Sequence, residues 1–216
     1  MTDVKAPRSR GFTLIEVMVA VLLLAVLSAL GYETLSYVHK ARDGSVAAFD
    51  RLREVELGIH TLVADFEQLE PRPVRQPVGD GYLGAIVGDT RTKDLAILTR
   101  GGWANTAGLP RGTLQRVTYT FDPDKAVLYR SYTSDLDVPL SVQPVKRELL
   151  KNVTSVTIRY MDTNLVWQPQ WPPPGAQAQV PTTSIVAPLR VRPVAVEITV
   201  ELKDWGKIVR IVEVPG

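Results

Sequence analysis

Residues 11–32 read GFTLIEVMVAVLLLAVLSALGY and determine much of the predicted architecture. From Phe12 to Tyr32 the only charged residue is Glu16. As a helix these residues rise about 1.5 Å each and measure roughly 31 Å, which matches a bilayer hydrocarbon core of about 30 Å. The length and composition therefore predict a transmembrane helix over residues 12–32.

The charges that flank this apolar run predict its orientation. Lys5, Arg8 and Arg10 precede it and Glu33 follows it, so the positive-inside tendency puts the N-terminus in the cytoplasm and the rest of the chain outside. A secretory signal peptide is the competing interpretation, since it also joins a basic segment to an apolar one. The length of the run and the costly carboxylate of Glu16 near its start disfavour that interpretation.

The hexapeptide GFTLIE at residues 11–16 resembles the processing site of the type IV prepilin family. The resemblance implies that residues 1–11 form a leader peptide, which a prepilin peptidase removes by hydrolysing the Gly11–Phe12 bond. It also implies N-methylation of the new Phe12 amine. Glu16 is then expected to serve assembly by pairing with the N-terminal amine of a neighbouring subunit, which offsets the cost of burying its charge.

An apolar stripe continues beyond the membrane run. It predicts an amphipathic helix over residues 33–70 that continues into the soluble domain and packs on a sheet, with charged residues such as Asp65 on its other faces. If the membrane helix and the amphipathic helix are continuous, Gly31, Gly44 and Gly58 each weaken the long helix from Phe12 to Leu69, so a bend or a melted turn at one of them is a further expectation. The stripe consists of Leu35, Val38, Ala41, Phe49, Leu52, Val55, Ile59, Leu62, Phe66 and Leu69.

Residues 71–216 have a different composition, because 15 of the 16 prolines lie there. The prolines that begin at Pro71 end the helix near Leu69, and no long helical period follows. Turn-like residues at 122–125 and 203–207 predict two hairpins, so residues 71–216 are predicted to form a β-rich domain. The family resemblance implies that this domain is periplasmic and that the chain has an α+β, pilin-like fold, with a long N-terminal helix packed on antiparallel sheet. The predicted strands are 95–99, 114–121, 126–132, 153–161, 194–202 and 208–214.

Two segments of this domain need a separate interpretation. Residues 167–181 are rich in proline and glutamine, which predicts an exposed, extended loop and excludes a central strand. Residues 79–84, GDGYLG, match the dinucleotide-binding fingerprint. They follow a proline-rich break and precede no helical pattern, so nucleotide binding is not expected.

Composition argues against several classes of function. The chain has no Cys, and its two histidines, His39 and His60, are too far apart on one helix to share a metal. Of 25 basic and 23 acidic residues, the leader holds three and one, so the mature chain is balanced and gives no reason to expect nucleic-acid binding. No nucleophile with a partnered base is visible. We therefore expect no enzymatic activity, no cofactor and no metal.

The C-terminal part, from Arg192 through the Trp205-Gly206 turn to the last strand, is similar to the J family of minor pseudopilins of type II secretion systems. That resemblance implies a tip complex with the I and K pseudopilins, and with H as a further candidate. It implies a role in initiating and capping the pseudopilus that exports folded proteins across the outer membrane. A minor pilin of a type IV pilus is the alternative within the wider family, and an inner-membrane-anchored periplasmic enzyme or binding protein is the alternative outside it.

Overall fold

A computed structural model describes residues 11–76, 79–106, 108, 112–136, 142–175 and 186–215. The chain divides into two compact units, of which the first ends at Arg53 and the second begins at Glu54. One helix, α1 (Leu14–Glu67), contributes residues to both units. It ends two residues before the predicted end and runs through Gly31, Gly44 and Gly58 without interruption, so none of these glycines melts a turn.

The second unit is built from antiparallel strands. All six predicted strands are present, and the predicted limits of β8 are the observed ones. The observed strands are β1 (Val74–Arg75), β2 (Tyr82–Leu83), β3 (Ile86–Asp89), β4 (Asp94–Arg100), β5 (Gln115–Asp122), β6 (Val127–Thr133), β7 (Val145–Lys151), β8 (Val153–Met161), β9 (Trp167–Gln168), β10 (Gln170–Trp171), β11 (Ala195–Leu202) and β12 (Gly206–Glu213). A short 3-10 turn at Ala187–Arg190 precedes β11.

These strands form three sheets. A six-stranded sheet has the order β10-β3-β4-β5-β6-β7, a four-stranded sheet has the order β12-β11-β8-β9, and β1 pairs with β2. Both predicted hairpins are confirmed, since the turn at 122–125 joins β5 to β6 and the turn at 203–207 joins β11 to β12. The prediction of an α+β fold with a long N-terminal helix and antiparallel sheet is therefore correct, and we call the second unit, which contains both main sheets, the head.

The end of α1 and both large sheets share one hydrophobic core. Phe66 of the helix stacks on Tyr119 of β5 with ring centroids 6.2 Å apart and planes 13° from parallel. Tyr160 of β8 links the two sheets, because its hydroxyl donates a hydrogen bond to the Leu95 carbonyl over 3.2 Å. A side chain at Gly58 would lie 2.9 Å from the Leu149 carbonyl oxygen, so this glycine permits a close helix–sheet approach.

The proline-rich segment at 167–175 is packed more closely than the sequence predicts. Its residues form β9 and β10, which are edge strands of the four-stranded and six-stranded sheets. Trp171 is buried, and its indole N–H donates to the Val191 carbonyl over 3.2 Å. The prediction of an exposed loop is wrong here because an edge strand tolerates proline that a central strand excludes. The remainder of the predicted loop, residues 176–181, lies outside the described residues.

Residues 79–84 contain no helix start. Tyr82 and Leu83 form β2, and β3 follows directly. The segment therefore lacks the strand-to-helix turn that holds a pyrophosphate.

Candidate functional site: the N-terminal helix and its anchor

The expected processing site lies outside regular structure. Gly11, Phe12 and Thr13 precede the helix, which begins at Leu14. No described atom comes within 4 Å of a side chain built at Gly11, and Phe12 is 86% exposed. The Gly11–Phe12 bond is therefore accessible from solvent in the single chain.

Thr13 and Glu16 form a reciprocal cap at the start of α1. The Glu16 carboxylate accepts hydrogen bonds from the Thr13 backbone N–H over 3.0 Å and from its hydroxyl over 3.1 Å. In return, the Glu16 backbone N–H donates to the Thr13 hydroxyl over 3.3 Å. This capping box satisfies backbone donors that a helix start leaves without partners. It also gives Glu16 a partner within its own chain.

The first unit exposes a long apolar helix surface. No residue from Leu14 to Arg53 is buried. Among the described residues, α1 is the one helix long and apolar enough to cross a membrane. The apolar stripe does not pack on a sheet in its first half, since Phe49 is 69% exposed and Leu52 is 39% exposed. The prediction that the stripe packs on a sheet is correct from Val55 onward and wrong before it.

The second half of the helix is fixed to the head by Asp65, which is fully buried. Its carboxylate accepts hydrogen bonds from Arg100 Nη1 on β4 and from Arg130 Nε on β6, each over 2.6 Å. The hydroxyl of Tyr119, on the strand between them, donates over 2.6 Å as well. One helix carboxylate therefore holds three adjacent strands.

The electrostatics of this anchor follow from its burial. Burial raises the pKa of Tyr119 well above its ordinary value, and the nearby charge of Asp65 raises it further. Burial alone lowers the pKa of Arg130, but the hydrogen bonds and charge of Asp65 outweigh that effect and raise it. Both groups thus keep their protons, and the carboxylate stays surrounded by donors.

The described residues offer no metal site. They contain no group of three His, Asp or Glu side chains positioned to bind an ion. His39 and His60 are both exposed on the helix. A groove of about 610 Å³ lies between Leu95, Phe121 and Val156, and its polar lining includes Ser155, whose hydroxyl donates to the Glu201 carboxylate over 3.1 Å.

The sequence-based interpretation missed two of these residues. Thr13 was readable, because a Thr followed three residues later by Glu is the signature of a capping box. Asp65 was expected on a solvated face, and its burial corrects that expectation. The available signal was its spacing, since Leu62 and Leu69 lie three and four residues away on the apolar stripe and so share one face with Asp65.

Comparison with known families identifies this arrangement. The family described as "Type II secretion system (T2SS), protein J" matches residues 33–214, and the "Prokaryotic N-terminal methylation motif" matches residues 6–32. The chain belongs to the type II secretion system protein J family. This is a family of structural pseudopilins of a secretion system and not a family of enzymes, and its members are anchored by the apolar N-terminal helix.

Individual relatives agree with this assignment over nearly the whole chain. The chain is 29% identical to the type II secretion system protein J of Klebsiella pneumoniae over 94% of both proteins. It is 30% identical to that of Vibrio cholerae, over 93% of this chain and 85% of the relative. A chain in the crystal structure of the GspK-GspI-GspJ complex from enterotoxigenic Escherichia coli aligns with a TM-score of 0.60 at 27% identity, covering 77% of this chain and 98% of that one.

Proposed function

We propose that this J-family chain is a minor subunit of the pseudopilus tip, where it assembles with the I-type and K-type pseudopilins. The observation that carries the proposal is the helix surface from Leu14 to Arg53, none of which is buried within the chain. A stripe of this length, exposed in a single subunit, is the surface that helices of neighbouring subunits cover. The E. coli relative, crystallised with GspK and GspI, supports the same kind of partner.

Maturation precedes assembly in this proposal. Prepilin peptidase removes residues 1–11 on the cytoplasmic side and methylates the Phe12 amine, while the head lies in the periplasm. Gly11 and Phe12 are exposed and lie outside the helix, which supports cleavage there. The chain itself has no catalytic role; it transmits the extension that a cytoplasmic secretion ATPase drives.

Glu16 has two successive partners in this scheme. In the single subunit its carboxylate is held by Thr13. During assembly the methylated Phe12 amine of a neighbour replaces Thr13, because a cation stabilises a carboxylate in an apolar environment more than a neutral donor does. Pairing between subunits then sets the register of adjacent helices.

The test compares wild type with Glu16→Gln in membranes that contain the partner pseudopilins. Glu16→Gln keeps the size of the side chain and removes its charge, so we expect unchanged membrane insertion and reduced cross-linking to the I-type and K-type subunits, with reduced export of a secreted protein. Glu33→Gln, which lies beyond the apolar run, is the matched control. Equal cross-linking and equal export for Glu16→Gln would show that Glu16 has no assembly role.

A further inference from the structure

β7 is an exposed edge of the six-stranded sheet. It pairs with β6 on one side, and the sheet order places no described strand on its other side. Its residues from Val145 to Glu148 are exposed, whereas Leu150 is buried beneath the helix near Gly58. The exposed half of an edge strand presents backbone N–H and C=O groups that can pair with another chain.

The charges along this edge are mainly positive. Lys146, Arg147 and Lys151 carry three positive charges against the single negative charge of Glu148. Lys151 lies 3.3 Å from Glu148, and the Lys146 ammonium lies 3.9 Å from the centre of the Tyr129 ring. Arg147, by contrast, makes no ion pair with any described residue. Within the part of the chain that the structure describes, it is the cation on this edge without an ion-pair or ring partner.

Arg147 is also placed next to a second arginine. It lies directly opposite Arg130 on β6, and like charges directly opposite each other on neighbouring strands repel. Arg130 uses Nε and Nη2 to bind Asp65, whereas its Nη1 forms no hydrogen bond with the described residues. Asp65 is already shared by two arginines, Arg100 and Arg130, so among the described residues it leaves the positive charge of Arg147 unneutralised.

We propose that the exposed edge of β7 docks an acidic, extended segment of a neighbouring pseudopilin. A carboxylate of that segment pairs with Arg147 and with the Nη1 of Arg130, which removes the repulsion between the two arginines. The backbone of the segment adds to β7 beside Val145 to Glu148. This inference rests on the proposed function and specifies one of its contact surfaces.

A charged edge can instead serve to keep other strands away. Repelling other strands and docking an acidic segment depend differently on the sign of the charge at Arg147. Repelling a strand requires a charge of either sign, whereas docking an acidic segment requires a positive one. Reversal of the charge at Arg147 separates them.

The experiment uses the full chain, expressed in membranes with its I-type and K-type partners, and measures the yield of chemically cross-linked complex. We expect Arg147→Glu to lower the yield about tenfold at low salt, since a reversed charge turns attraction into repulsion. Arg147→Lys should retain most of the yield. Arg210→Glu is the matched control, because Arg210 is an exposed arginine on β12, an edge strand of the other sheet; its yield should equal that of wild type.

The outcomes distinguish this inference from the proposed function. If wild type and Arg210→Glu form the complex and Arg147→Glu forms it equally well, the docking role of β7 is overturned and the proposed function stands. If wild type forms no complex with either partner, both are overturned. Should Arg147→Glu fail to fold, Arg147→Gln replaces it; that variant removes the positive charge, and an undiminished yield would again overturn the inference.

Discussion

The two parts of α1 share one helix but differ completely in burial. From Leu14 to Arg53 no residue is buried, whereas between Glu54 and Glu67 six are, namely Val55, Gly58, Ile59, Leu62, Asp65 and Phe66. The apolar stripe has the same period in both parts. Periodicity therefore identifies the apolar face of the helix, but it does not tell which part of that face is buried within the chain.

The largest effect is expected in the first part, at the processing site. Gly11→Val places a branched side chain beside the scissile carbonyl, so we expect essentially complete loss of leader removal. Intact-mass measurement of the membrane-extracted chain should then show residues 1–11 still attached, while wild type lacks them and carries one added methyl group. Gly31→Val, within the apolar run, is the control and should be processed normally. A normally processed Gly11→Val chain would refute the assigned cleavage site.

The next largest effect is expected in the second part, at the anchor. Asp65→Ala leaves the guanidinium groups of Arg100 and Arg130 without their buried carboxylate, so we expect a loss of about 3–5 kcal/mol in the free energy of unfolding. Urea unfolding of a fragment that begins at residue 33 measures this. Glu67→Ala, at an exposed position of the same helix, should cost less than about 0.5 kcal/mol. A cost below about 1 kcal/mol for Asp65→Ala would show that the cluster does not hold the helix.

The sequence predicts strands well where apolar and polar residues alternate, as in β8 and β11. It does not predict β7, because four of its seven residues are charged and an edge strand buries too little to produce alternation. The processing motif is readable because it is local. The role of Asp65 cannot be predicted in this way, because its three partners lie on strands 35 to 65 positions away in the sequence. Sequence spacing does not tell which strand residues lie opposite Asp65.

A smaller effect on stability is expected when glycine is replaced by alanine, and its sign should differ between the two parts of α1. Gly58→Ala places a methyl group 2.5 Å from Leu150 Cδ2, so overpacking should destabilise the head by about 1–3 kcal/mol. Gly44→Ala meets no described atom within 4 Å, so the better helix propensity of alanine should stabilise its helix by up to about 1 kcal/mol. Thermal unfolding of both variants checks this, and a stabilising Gly58→Ala would contradict the close helix–sheet approach.

The smallest effect is expected within the second unit, at the loop that joins β8 to β9. The backbone N–H of Val166 holds the pKa of Asp162 below its ordinary value of 3.8, with the side chain of Gln168 adding to this effect. Because the folded pKa is lowered, the contribution of Asp162 to stability is fully present above about pH 4 and is lost as the pH falls through the folded value. Asp162→Asn should remove this dependence. Titration of the Asp162 carboxyl carbon by NMR measures the pKa directly, and a midpoint at or above 3.8 would show that the hydrogen bonds to Val166 and Gln168 do not hold the loop in solution.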